Sequence, residues 1–110
     1  MNFDRLLQHA EYSSKKEVVG LAIYYLEEFE DQQPVAPEDV RNVIDDSRES
    51  VPSKHVSTYF NRLEDADWLS PNNGEYVLSP TGLVHFEDCV DVSLVKKPRE
   101  DRFIDTDVVE

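Results

Sequence analysis

The stretch from Lys15 to Phe29 constrains the fold more than any other part of the chain. Its apolar residues fall at Val18, Ala22, Tyr25, Leu26 and Phe29, with Val19 and Ile23 widening the same face. That spacing belongs to a helix and not to a strand. A stripe this broad marks the central core helix of a small domain. Ser13 or Ser14 is positioned to cap it, with Glu17 in the first turn. Gly20 costs about 1 kcal/mol of helix propensity relative to Ala, so its presence inside this helix predicts a close packing contact. Tyr24 and Tyr25 are adjacent and diverge by about 100° on a helix. Tyr25 fits the stripe, which leaves Tyr24 expected on the surface and suited to a contact with a second copy of the chain.

On either side of this helix the patterns are shorter. Residues 1–14 read as an N-terminal amphipathic arm, with Phe3, Leu6, Leu7 and Ala10 on one face. Such an arm packs either on its own body or on a second copy. After a polar exit from Glu27 to Gln33, Pro34 and Pro37 bracket a loop. Pro37 suits a first helical position, and Glu38 and Asp39 complement the positive end of the helix dipole. Val40, Val43 and Ile44 then predict a short helix ending near Asp46, followed by a polar connection.

Ser53 is the expected cap of the next helix, over residues 54–67. Val56, Phe60 and Leu63 form its apolar stripe, with Tyr59 and Ala66 beside them. The other face carries Lys54, His55, Ser57, Thr58, Asn61 and Arg62, and no Asp or Glu occurs between Val51 and Leu63. The chain as a whole has 24 Asp plus Glu against 11 Lys plus Arg, a formal net charge of −13. A helix face cleared of acids in so acidic a chain is what approach to another polyanion requires, and nucleic acid is the obvious candidate. In that role Lys54 and Arg62 suit phosphate or guanine, Asn61 suits adenine, and Ser57 and Thr58 suit phosphates. Lys15 and Lys16 are candidates for a flanking phosphate. The bland reading is a solvated helix face.

Past Ala66 the pattern changes. Trp68-Leu69 is apolar, Ser70-Pro71-Asn72-Asn73-Gly74 is turn chemistry, and Tyr76-Val77-Leu78 favours a strand, which together predict a hairpin. Trp68 is expected to pack at its base. Ser79-Pro80 then opens a final helix, with Leu83, Val84, Phe86 and Val90 as its apolar residues. Val92 to Val95 has strand character, and residues 92–110 read as an acidic, mobile tail, with a docking motif for a protein partner as the minority reading.

Two short helices joined this way have the grammar of a helix-turn-helix, and the whole order resembles the winged helix-turn-helix family. Val56-Ser57-Thr58-Tyr59-Phe60-Asn61-Arg62-Leu63 stands for the recognition helix and Asp67-Trp68-Leu69 for the entry to the wing. Tyr76-Val77-Leu78-Ser79-Pro80-Thr81-Gly82 looks like the Y-x-L-T-x-x-G segment that closes many archaeal and bacterial wings, with Ser79 where Thr is usual. The match covers roughly Lys15 to Val90. With the acidity, the chain looks like a small haloarchaeal winged-helix protein, from a host or a virus. The resemblance implies an α+β, mostly helical fold with a three-helix core, a β-hairpin wing and a C-terminal helix, occupying residues 15–91. It also implies sequence-specific binding to double-stranded DNA, as a small transcriptional regulator. One departure is the wing tip, Asn72-Asn73-Gly74-Glu75, which has no Lys or Arg for the minor groove.

Composition bounds the alternatives. At 110 residues and 12.7 kDa the chain holds one domain and a tail. The acids are spread along the whole chain and Lys is scarce, which favours a salt-rich cytoplasm over a dedicated protein partner as the cause of the acidity. The single Cys89 permits no intramolecular disulfide and no multi-Cys zinc site. His85 and Cys89 lie at i, i+4, with Asp88 and Asp91 nearby, but no spacing adds a further ligand from His9 or His55. An ordinary His beside a partly buried Cys is therefore expected, with no metal and no cofactor. There is no apolar run of the ~20 residues needed to span a bilayer and no signal peptide, so a soluble, cytoplasmic chain is expected. No nucleophile elbow or phosphate-cradling Gly loop points to an enzyme. A single module buries little DNA surface, so a homodimer is the expected working form. The alternative is a winged helix used as a protein-interaction adaptor that does not bind DNA.

Overall fold

The computed structural model describes residues 2–49 and 51–90; residue 91 and the tail at 92–110 lie outside them, with the strand and docking readings made for the tail. The described residues form an α+β fold that is mostly helical. Five helices, α1 (Phe3–Gln8), α2 (Lys15–Phe29), α3 (Pro37–Asp45), α4 (Ser53–Asp65) and α5 (Pro80–Cys89), accompany a two-stranded antiparallel hairpin of β1 (Leu69–Asn72) and β2 (Glu75–Leu78).

Helix α2 carries contacts from every other helix, α1, α3, α4 and α5, and from one strand of the hairpin, β2. Its residues from Val18 to Glu27 are all buried, so it is apolar nearly all round rather than along one stripe. This corrects the expectation for Tyr24. Both Tyr24 and Tyr25 are buried, at 0% and 8% exposure, because no side of the central helix is left for solvent at this level. The Tyr24 ring meets Phe29 edge-on, and Tyr25 stacks on Phe29 while leaning on Phe3. The arm docks on its own body: Phe3, Leu6 and Leu7 of α1 are buried in the same core.

Each helix start has a local cause. At α2, Ser14 accepts the Glu17 N–H, and Glu17 Oε1 reaches back to the Ser13 N–H at 3.0 Å and hydroxyl at 3.1 Å. Pro37 and Pro80 occupy first-turn positions of α3 and α5, and Ser79 caps α5 by accepting the Gly82 N–H at 3.0 Å. Helix α4 departs from expectation. Pro52 occupies the cap position and makes no side-chain cap bond, so Ser53 is the first helical residue and not the cap. At the other end of α4, Asp67 adopts φ of 64°, its N–H donates to the Glu64 carbonyl and the Trp68 N–H to the Leu63 carbonyl. This Schellman arrangement stops the helix and turns the chain into β1.

The hairpin is longer than its turn chemistry suggests. Ser70, Pro71 and Asn72, expected in the turn, belong to β1 and pair with Val77, Tyr76 and Glu75. Only Asn73 and Gly74, both at positive φ, make the turn. Pro71 is tolerated because β1 is an edge strand. On its other side β2 pairs with the loop before α3, where Val35 and Tyr76 exchange two backbone hydrogen bonds of 2.8 Å each. Glu27, buried at the end of α2, accepts the Leu78 N–H at 2.8 Å and ties the hairpin base to the core. On α5, Phe86 and Val90 are buried, whereas Val84 is 59% exposed and faces away from the core. No helix among the described residues is long and apolar enough to cross a membrane.

Candidate nucleic-acid interface

Helix α4 divides cleanly by side. Val56, Phe60 and Leu63 are buried, and the helix packs on α2, α3 and β1. The Phe60 ring also stacks on Tyr76 of β2, centroids 4.6 Å apart and planes within 10°, so helix and hairpin are held as one unit. Lys54, His55, Ser57, Thr58, Asn61 and Arg62 are all exposed. The six residues singled out from the sequence thus lie together on the solvent side of one helix.

The electrostatics of this face are uneven along the helix. The first turn of α4 contains no acid. Its leading N–H groups lack a side-chain cap and carry the positive end of the helix dipole, beside the Lys54 ammonium. Toward the other end, Glu64 is half-buried and Asp65 exposed, which disfavours an anion there. The N-terminal half is the part of α4 suited to phosphates. Arg62 is steadied by Tyr59, its guanidinium 5.8 Å from the ring centroid, and these two with His55 and Thr58 line a shallow groove. Tyr59 is half-buried and joins the polar face as an amphipathic edge, a role its place beside the apolar stripe obscured.

The flanking lysines do not join this face. Lys15 donates to Glu49 Oε1 at 2.7 Å. That ammonium and the Tyr12 hydroxyl, 2.8 Å from the other oxygen, hold the Glu49 carboxyl below its ordinary value against the pull of burial. Lys16 sits over the Trp68 ring at 4.8 Å. The hairpin tip, Asn72 to Gly74, is exposed and uncharged.

A second group of side chains meets between α2 and α5. Glu17 Oε2 lies 3.3 Å from His85 Nε2, and Cys89 Sγ lies 3.8 Å from the same nitrogen. Trp68 stacks on the imidazole at 3.9 Å, and Phe86 meets it edge-on. Burial raises the Glu17 carboxyl, but bonds from Ser13 and His85 outweigh it and hold the group below its ordinary value. Burial, and then the charges of Glu17, Asp88 and Glu11, push the Cys89 thiol up. His85 and Cys89 were legible as a pair on one helix face. Glu17 was not, because nothing in local spacing brings residue 17 to residue 85. No protein-family model, curated protein or solved structure gives a significant match to the chain.

Proposed function

We propose that this chain is a winged helix-turn-helix DNA-binding protein, a small transcriptional regulator that reads the major groove of double-stranded DNA with α4. The observation that carries this reading is the exposed, acid-free N-terminal half of α4, presented on a buried stripe in a molecule of net charge −13. Supporting it are the order of three packed helices, hairpin and closing helix, and the stacking of Phe60 on Tyr76 that fixes helix and hairpin together. In this role Lys54 and Arg62 supply cationic contacts, Asn61 a base-edge contact, and Ser57, Thr58 and His55 positioning contacts. The protein works as a homodimer, since one module covers too little DNA for useful specificity, and in a salt-rich cytoplasm. At about 1 M salt the Debye length of about 3 Å removes most long-range repulsion between this acidic surface and DNA.

The test is a titration of wild type and the Lys54→Ala/Arg62→Ala double variant against genomic fragments in high potassium chloride, with circular dichroism to verify folding. Sequence-selective binding by wild type, weakened about 10-fold or more in the double variant, is the expected result. A folded wild type that binds no fragment would point instead to a protein-interaction adaptor, the reading favoured by a hairpin tip without Lys or Arg.

A further inference from the structure

Three side chains of different donor chemistry converge at the α2–α5 junction, and the proposed DNA face uses none of them. Among the described residues, Glu17, His85 and Cys89 are the one group of three potential metal donors brought together, with all three donor atoms within 4.8 Å of one another. Bond lengths of about 2.0–2.3 Å to Zn2+ place neighbouring donors of a tetrahedral ion about 3.3–3.7 Å apart. The 3.3 Å from His85 Nε2 to Glu17 Oε2 matches one such edge, the 3.8 Å to Cys89 Sγ is slightly longer than one, and with all three atoms within 4.8 Å small side-chain shifts would close the set around an ion.

The supporting contacts are those of a ligand set. Glu17 Oε1 is occupied by the Ser13 N–H and hydroxyl, which aims Oε2 at the imidazole. His85 is clamped between ring contacts from Trp68 and Phe86. His85 and Cys89 share one face of α5 through their i, i+4 spacing. Cys89 also lines a surface groove with His9 and Glu11, which gives an ion a way in.

Two other readings fit less well. A Cys-His-Glu catalytic relay needs the thiol and the carboxylate on opposite ring nitrogens, whereas here both meet Nε2. With Nε2–H given to Glu17, the Cys89 thiol at 3.8 Å keeps only a weak contact with the ring, whereas a cation between the three atoms bonds all of them. We propose that Glu17, His85 and Cys89 form a binding site for a zinc-class divalent ion, held by carboxylate, imidazole and thiolate. On binding, the S–H bond of Cys89 breaks, the sulfur bonds to the ion, and the proton leaves to solvent. His85 offers the Nε2 lone pair with its proton on Nδ1. The acids around the thiol, Glu17, Glu11 and Asp88, supply a negative potential that suits a dication. The site joins the start of α2 to the end of α5.

The experiment is a titration of the full, metal-stripped chain with Co2+ in high potassium chloride, followed by displacement with Zn2+. The expected result is a thiolate-to-cobalt charge-transfer band that saturates at one equivalent and disappears on adding Zn2+. Cys89→Ser should abolish the band, and His85→Gln and Glu17→Gln, which remove direct ligands, should each weaken Zn2+ binding by at least the roughly 10- to 100-fold that losing a mere supporting partner costs. Far-ultraviolet circular dichroism of the metal-free variants controls for folding. Absence of the band in folded wild type overturns the site, whatever the variants do. So does Zn2+ binding that is equally tight in Cys89→Ser, which would place the ion on scattered surface acids and histidines.

Discussion

At Gly20 the reason for a helix-weakening residue lies in a single neighbour. A Cβ built at this position would run into Phe86 Cζ and stand 2.7 Å from both adjacent ring carbons. Phe86 is fully buried, so its ring has no room to withdraw. Ala would add about 1 kcal/mol of helix propensity, but overpacking a closed core costs about 1–3 kcal/mol and occasionally more. The clash wins, and Gly20→Ala should lower stability by roughly 1–2 kcal/mol in urea denaturation. Gly20→Ala/Phe86→Leu should recover part of the loss, since the two sites share one contact. A Gly20→Ala protein as stable as wild type would show that the α2–α5 contact is looser than it looks. The sequence flagged Gly20 as a packing site but could not name Phe86, because helical periodicity says which side a residue faces and not what it meets. Tyr24 shows the same limit from the other side. A single apolar stripe implies a solvent face opposite it, and the central helix has none along most of its length.

Among the elements, the hairpin depends on contacts made far away in sequence. That a turn precedes the strand Tyr76-Val77-Leu78 was readable from propensity, as were the starts of α2, α3 and α5 from their Ser and Pro residues. That the turn is only two residues long was not. Ser70, Pro71 and Asn72 were not readable as a strand, because turn-forming residues become strand only when a partner such as β2 supplies the hydrogen bonds. Nor were the bonds that anchor β2 to Val35 and to Glu27. The six α4 residues of the candidate interface were legible because they need only one helix, whereas the Glu17–His85–Cys89 cluster needs two. Glu27 carries a prediction of its own. Its buried carboxyl group takes the Leu78 N–H at 2.8 Å and the Gln33 amide at 3.3 Å, and leaving a buried donor such as the Leu78 N–H without its acceptor costs about 1–3 kcal/mol. Glu27→Ala should lose roughly that amount and speed hydrogen exchange at the Leu78 amide, while Glu27→Gln, which keeps an acceptor, should lose less. Unchanged exchange at Leu78 in the alanine variant would mean that pairing with β1 alone holds the strand.

Over the whole molecule the governing quantity is charge. A formal net charge of −13 on 110 residues destabilises the compact state through self-repulsion, and although Glu17, Glu38 and Asp39 sit favourably in first turns, three other acids add to the strain. Asp45 and Asp46 end α3, which has no basic residue in its last turn, and Asp65 ends α4. All three are exposed, and an acid at a helix C-terminus opposes the dipole by about 0.3–1 kcal/mol at low ionic strength. Salt screens both effects, since the Debye length falls from about 10 Å at 0.1 M to about 3 Å at 1 M. The melting temperature should therefore rise with potassium chloride, and an Asp45→Asn/Asp46→Asn/Asp65→Asn variant separates screening from general salting-out. At 0.1 M salt the variant should be more stable than wild type by about 1 kcal/mol or more, from relief at the two helix ends. At 1 M the advantage should shrink to a small fraction of that. An equal advantage at both salt concentrations would show that the acids act by something other than their charge. The same screening bears on α4, because only its N-terminal half lacks acids. Close approach of a polyanion then depends on salt silencing the rest of the surface, so the selective DNA binding proposed for α4 should, in titrations at rising potassium chloride, survive concentrations that dissociate ordinary basic DNA-binding domains. Its loss at those concentrations would count against the proposal.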